Sequence, residues 1–312
     1  MATAALICLS CAATAERQPP LHAPANVTSI LNLRIVSSAG PSLGDYGDLI
    51  EPSGAALDGL GELFITDRIA NTIHKISPEL LPLAREGGIG GYAGGFNQPA
   101  DLACDAAMNV YVADTGNRRI QVLDRNLRIV HTIENYSDEN GEPVDFVVPR
   151  AIAIDYEGNF WISDDDRVLK LDPFFRLLFA VSEKVPGYFI LGRVSSIDVS
   201  RSGTVAIADA GNHRIVLINV YGNYVGWFDA GSPAGVSWDK NNLLWVADPD
   251  ARRLSAYNIG GELIYVHVPE QSGSRPNEVA CDPGGGLFMI DKGLRRIWSY
   301  DIIRGGSPEI TR

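Results

Sequence analysis

Histidine, cysteine and methionine are scarce in this chain, at five, four and three of its 312 residues. The histidines (His22, His74, His131, His213, His267) are scattered, and no HExxH, G-x-S-x-G or phosphate-loop signature occurs, so the usual hydrolase and nucleotide-binding patterns are absent. Cysteine is too sparse for a disulfide scaffold. Basic residues are outnumbered 26 to 38 by acidic ones, giving a net charge of −12. That balance opposes nucleic acid as a partner, because such binding draws its affinity from neutralised phosphates. No segment after the first residues has the roughly 18 unbroken apolar residues of a membrane-spanning helix, and no long window shows helical periodicity.

What the chain does have is apolar content, 46%, enough for a sizeable core. Residues 1–15, MATAALICLSCAATA, end an apolar stretch on the small-residue step Ala13-Thr14-Ala15 and read as a secretory signal. The basic residue that usually precedes the apolar run is missing, which leaves a late start codon or no signal at all as rival readings. Cys11, in LSC, gives a second, poorly matching cleavage point of lipoprotein type, with a lipid anchor as its consequence. Residues 16–26 hold three prolines and read as a stiff tether. The remainder, 27–312, reads as one domain, a monomer, exported to the periplasm or the cell exterior.

That domain is written as a repeat. ADTGNRRIQVLD (113–124) returns as ADAGNHRIVLIN (208–219), within a longer unit of which six copies align, such as PADLACDAAMNVYVAD (99–114) and PNEVACDPGGGLFMID (276–291). The copies close on Asp67, Asp114, Asp164, Asp209, Asp248 and Asp291, at intervals of 39 to 50 residues. Each contains period-two apolar stretches broken by Gly, Asn or Asp, the pattern of short antiparallel strands and tight turns. Six four-stranded units match an all-β, six-bladed propeller. The last unit lacks a fourth strand, whereas ILNLRIVSSAG (30–40) is a strand without a blade, so the N-terminal strand is expected to complete blade 6 and close the ring.

These residues resemble the NHL-repeat family over 30–303, most clearly at PADLACDAAMNVYVADTGNRRIQVLD and VAIADAGNHRIVLIN. The resemblance implies the propeller fold but not one function, since NHL-like propellers include enzymes, sensors and protein- or RNA-binding scaffolds. Repetition in register assigns Asp114, Asn117 and Arg118, with Asp209, Asn212 and Arg214, to structure: Asp accepting turn N–H groups, Asn in a left-handed conformation, Arg pairing with carboxylates between blades. Leu49, Phe96, Phe146 and Leu191 read as packing residues, and Cys104 and Cys281 as buried free thiols too far apart to bridge.

Function is then expected where equivalent positions differ. The second and third residues of each inner strand are expected to ring the central channel, and Asp101, Arg150, Asn277 and Glu278 stand out among them. They read as contacts for a small polar ligand; equally, Arg150 neutralises acidic neighbours. No cofactor is expected beyond calcium or another divalent ion, for which Asp101, Asn277 and Glu278 are the candidate ligands. Two enzymatic groups resemble this fold. The peptide-amidating lyases imply a ring of zinc-binding histidines, which these positions lack. The lactonase and gluconolactonase group implies Glu, Asn and Asp on a divalent ion; Asn277 after Pro276 matches its Pro-Asn motif, and Glu51 before Pro52 is one residue out of register with its Glu-x-Pro.

The loops entering the inner strands hold eleven acidic against four basic residues. They are expected to form an acidic, tyrosine-bearing rim around the channel, with Tyr136, Asp138, Glu139, Glu142 and Asp145 in one loop and Tyr46 and Tyr92 in others. Such a rim suits a basic protein or other cationic partner, or is simply a soluble surface. The resulting expectation is a non-enzymatic binding or sensor scaffold, with a divalent-metal lyase or lactone hydrolase at the channel entrance as the alternative.

Overall fold

A computed structural model describes residues 33–42, 49–181, 190–282 and 284–304, with only the backbone of 33–42, 303 and 304. The leader reading of 1–15, the tether and Cys11 lie outside the described residues. Strand β1 (Leu33–Ser42) precedes the first blade. Blade 1 comprises β2 (Pro52–Leu57), β3 (Leu63–Asp67), β4 (Thr72–Ile76) and β5 (Pro82–Gly87), and blade 2 β6 (Pro99–Cys104), β7 (Val110–Asp114), β8 (Arg119–Leu123) and β9 (Ile129–Ile133). A short hairpin follows, β10 (Asn135–Ser137) and β11 (Pro143–Asp145). Blade 3 comprises β12 (Pro149–Ile154), β13 (Phe160–Asp164), β14 (Arg167–Leu171) and β15 (Leu177–Val181), and blade 4 β16 (Val194–Val199), β17 (Thr204–Asp209), β18 (Arg214–Asn219) and β19 (Tyr224–Asp229). Blade 5 holds β20 (Gly235–Trp238), β21 (Leu244–Asp248), β22 (Arg253–Tyr257) and β23 (Leu263–His267), and blade 6 begins with β24 (Pro276–Cys281), β25 (Gly286–Asp291) and β26 (Arg296–Arg304).

Each blade is a four-stranded antiparallel meander, and the sixth has the order β1-β26-β25-β24. The expected closure is therefore present: Leu33 faces Arg304 and Ala39 faces Trp298 across the seam. Alternation dictates the packing. Side chains of successive residues leave a strand on opposite faces, so every blade offers apolar residues to both neighbours. The core accordingly divides into six clusters, one at each junction between blades. The cluster joining blades 6 and 1 sets Leu49, Leu63 and Ile65 against Phe288, Ile290 and Ile297, so the ring is closed by packing as well as by pairing. Leu49, Phe96, Phe146 and Leu191 are all buried, as expected of packing residues.

The inner strands pair on one edge only and turn the other towards the axis. Five of the six carry a register shift between their first and third or fourth residues, a bulge that re-aims the side chains where the channel opens. The face on which inner strands begin, and on which the closing aspartates end each second strand, is called the upper face.

Candidate functional site

The six closing aspartates are at most 2% exposed and are consumed by the fold. Asp114 accepts hydrogen bonds from Asn97 N–H at 2.7 Å, Asn117 Nδ2 at 2.9 Å, Arg119 Nε at 2.8 Å and Gln121 Nε2 at 3.1 Å. Asp209 takes Gly192 N–H, Asn212 Nδ2 and Arg214 Nε in the same way. Each ties the loop entering its blade to the turn that leaves it. Two details differ from the sequence reading. The left-handed residues are Arg118 (φ 55°) and His213 (φ 59°), one past the asparagines, whose side chains instead hold the aspartates. The aspartate's partner in blade 2 is Arg119 rather than Arg118, and the pair lies within a blade rather than between blades. An interblade pair does occur elsewhere, at Arg125–Glu62 (3.0 Å).

At the channel mouth, second residues of the inner strands clasp the next blade. Ser53 Oγ donates to Pro99 O (2.9 Å), Ser195 Oγ to Pro233 O (2.8 Å) and Asn277 Nδ2 to Pro52 O (3.2 Å), while Thr115 Oγ1 takes the place of Ala100 by donating to Pro149 O (2.6 Å). Asn277 is thus occupied between blades 6 and 1. Arg150 makes no such clasp. It is half-buried, and the acidic neighbour that bears on it is Asp165. Partial burial and the charges of Arg68 and Arg193 hold its pKa below the usual arginine value, with Asp165 acting against them.

Below the mouth, all six inner strands line a cavity of about 530 Å³. Third residues are Gly54, Asp101, Ala151, Ser196, Gly235 and Glu278, and their side chains serve the free strand edges. Asp101 accepts the N–H of Ile152 in the next blade (3.0 Å) and of its own neighbour Leu102 (2.8 Å). Ser196 Oγ accepts Val236 N–H (3.3 Å). Glu278 folds back onto Val279 N–H (3.1 Å). Two glycines make this possible: a Cβ on Gly54 would lie 2.5 Å from Asp101 Oδ1, and one on Gly235 would overlap Glu278 Oε1.

Sequence reasoning missed a third carboxyl here. Asp198, the fifth residue of β16, accepts Val199 N–H (2.8 Å) and Trp238 N–H of the next blade (2.6 Å). The signal was available, since the equivalent residues are Ala56, Ala103, Ala153, Ser237 and Ala280. Removal from water raises all three carboxyls, which also repel one another: Asp101 is pushed up to about 8, Asp198 to about 6, and Glu278 well above the carboxylate range. Backbone N–H groups oppose the shift without cancelling it.

The proposed ligand set Asp101, Asn277 and Glu278 is not assembled, because Asn277 belongs to the mouth and the two acids to the interior. Among the described residues, no group of three or more His, Cys, Asp or Glu side chains is placed to hold a metal ion. Cys104 and Cys281 are free, as expected, but half-buried, each packed against a core cluster and lining the cavity. Their thiols are raised by burial.

The expected acidic rim is redistributed. Residues 135–145 are not a loop over the channel but the β10–β11 hairpin, which runs down the outside of the ring. Ser137 N–H bonds Phe175 O (2.9 Å) in the turn between β14 and β15, on the lower face. Tyr136 is 2% exposed, its ring packed on Phe146 (5.5 Å between centroids) and beneath Arg167, so it is a core residue and not a surface contact. Asp138 caps the hairpin turn by accepting the N–H groups of Asn140 and Glu142, and the bond from Glu142 leads the causes that hold its carboxyl below the usual range. Glu139, Glu142 and Asp145 are exposed. Tyr92 is 63% exposed on the upper face, in the loop whose carbonyls Arg119 grips. Tyr46 lies outside the described residues.

No family model matches the sequence. Over 78 residues the chain is 35% identical to NHL repeat-containing protein 3 of Mus musculus and 33% identical to that of Homo sapiens, which is 24% of this chain. The match spans only 22% of the length of these curated relatives. Among solved structures, virginiamycin B lyase from Staphylococcus aureus is similar over 88% of this chain and 89% of its own, at 15% identity and a TM-score of 0.60. A streptogramin B lyase is similar over 89% and 100%, at 12% identity and a TM-score of 0.56. At such identities the likeness concerns the fold alone. The chain is a six-bladed β-propeller, similar over a quarter of its length to NHL-repeat proteins and in its fold to the streptogramin-type lyases.

Proposed function

We propose that the protein is an exported, non-enzymatic binding or sensor scaffold that recognises a cationic partner through its acidic β10–β11 hairpin. The carrying observation is that Glu139, Glu142 and Asp145 are exposed on a hairpin whose base is fixed by buried Tyr136 and Phe146, and none has an ion-pair partner among the described residues. Charges fixed on a rigid support attract an opposite partner at low entropic cost. Residues 1–15 support export. The alternative, a divalent-metal lyase or lactone hydrolase, rests on Asp101, Asn277 and Glu278, of which Asn277 is held at the mouth, apart from the two acids.

The test measures binding of a lysine-rich peptide to the full chain and to a Glu139→Lys, Glu142→Lys, Asp145→Lys variant. A drop of at least about tenfold, with affinity falling as salt rises, is expected. Equal binding removes the surface, and stoichiometric metal whose chelation lowers the Tm turns the assignment towards the enzyme.

A further inference from the structure

We propose that the axial cavity is a binding site for a linear organic polyamine, entered from the lower face and held by Asp101, Asp198 and Glu278, with Asp58 nearer the opening. The inference does not depend on the acidic hairpin, which lies on the outside of the ring.

The cavity begins below the clasped mouth, at the third residues of the inner strands, and ends among the lower-face turns, where Gly59, Ala106 and Tyr156 line it. Asp101, Asp198 and Glu278 come from blades 2, 4 and 6, every second wedge, so they surround the axis from three sides. Asp101 and Asp198 are fixed by spanning to the next blade, through the N–H groups of Ile152 and Trp238. The interior holds no cation to answer them. Eight acids but only two cations, Arg201 and Lys240, line the cavity, and both cations are exposed on the lower-face turns.

Two buried acceptors are left open. Glu278 is 4% exposed and receives one hydrogen bond, on Oε1 from Val279 N–H; its Oε2 has no partner among the described residues. Asp58, in the wall of a different blade and 2% exposed, caps its turn through Oδ1, which accepts the N–H groups of Leu60 and Glu62, while Oδ2 has no hydrogen-bond partner. Buried acceptors without donors cost free energy that a donor in the cavity recovers. The N–H and C=O of an unpaired strand residue leave by the same edge, so the carbonyls of Leu102, Ile152, Val199 and Val279 face the axis beside the acids. Burial, and after it the repulsion of other carboxyls, raises Asp101 and Glu278; a cation among them turns that repulsion into attraction.

The geometry selects an organic ammonium over a bare metal ion. Among the described residues no three acidic, His or Cys side chains converge closely enough for a metal, whereas an ammonium donates outwards to several separate acceptors. Depth selects a chain over a single charge. Asp101 and Glu278 are third residues of their inner strands, Asp198 is a fifth and Asp58 a seventh, so at about 3.3 Å per residue the acids occupy three levels about 6–7 Å apart. Ammonium groups separated by a few methylenes meet successive levels together, and the wall between those levels carries Ala103, Ala153 and Ala280.

Isothermal titration of the full chain with spermidine at constant ionic strength tests this, with methylammonium and calcium chloride as comparisons. One saturable spermidine site is expected, tighter than methylammonium by at least about tenfold because linked charges bind together. Asp198→Asn is expected to weaken spermidine at least about tenfold, and Glu278→Gln several-fold. Should Asp198→Asn fail to fold, Glu278→Gln, which keeps an acceptor for Val279 N–H, decides. Glu79→Gln, on an exposed lower-face turn outside the cavity, is expected to leave binding unchanged. Absence of saturable spermidine binding, binding that survives Asp198→Asn and Glu278→Gln or falls equally in Glu79→Gln, methylammonium binding as tight as spermidine, or stoichiometric calcium that displaces spermidine overturns the proposal.

Discussion

Arg119 and Arg150 stand in neighbouring blades on the same face and have opposite circumstances. Arg119 is buried, with its Nε on Asp114 and its terminal nitrogens on the carbonyls of Gly91, Tyr92 and Gly95. Arg150 has no such partner among the described residues, and its charged surroundings are chiefly two further arginines. The first belongs to a turn that recurs, in blade 4 with Arg214, and its chemistry is answered wherever it recurs. The second occupies a ring position where the other blades carry Ser, Ala or Asn. Repeated polar residues are therefore fixtures of the wedge, and of the unlike ones Asp101 and Asn277 are held by a neighbouring blade while Arg150 is not.

The largest effect that sharpens this contrast is expected at the fixture. Arg119→Ala leaves the fully buried Asp114 without its cation and should destabilise the protein by about 3–5 kcal/mol in denaturant unfolding; a change near zero would break the comparison. Next comes Gly235→Ala, whose methyl overlaps Glu278 Oε1 and should cost about 1–3 kcal/mol. Adding Glu278→Ala should recover part of that loss, since the Glu278 Cα at 2.9 Å remains, a coupling visible in a double-mutant cycle.

The interior carboxyls give a pH signature. Because Asp101 is raised in the folded state, the native protein holds a proton that the unfolded chain has released. Stability should fall as pH rises from about 4 towards about 8, the window between its ordinary and its native pKa. The slope is expected on the order of 1 kcal/mol per pH unit for each such group, and Asp101→Asn should reduce it, leaving the part that Asp198 and Glu278 contribute. Unfolding midpoints across pH decide, and an unchanged slope counts against the assignment. Smallest of all, Arg150→Gln should shift stability by no more than about 0.5 kcal/mol.

The blades were legible because their punctuation is local: a closing Asp, a turn and two flanking alternating stretches are written in consecutive residues. Closure by β1 was legible because one strand lacked a blade and one blade lacked a strand. The channel was less so, since which neighbour an inner-strand residue meets depends on the blade beside it. Gly54 gives no sign in its own segment that it makes room for Asp101, and Asp198 sits two residues beyond Ser196, the last ring position of its strand. The hairpin at 135–145 escaped because its paired stretches are three residues each and its acids read as a solvated loop. Tyr136 shows the same limit: an aromatic among acids looks exposed until the partner ring, Phe146, is known to lie beneath it.

The pairing of β1 with β26 also sets an order of events. Leu33 and Arg304 meet only when almost every intervening residue has left the ribosome, so the join is the most non-local step in assembly and depends on wedges already built. Until it forms, an incomplete arc leaves Leu63 and Ile65 at one end and Phe288 and Ile290 at the other without each other's cover. A nascent chain stalled at that stage would be the sticky one.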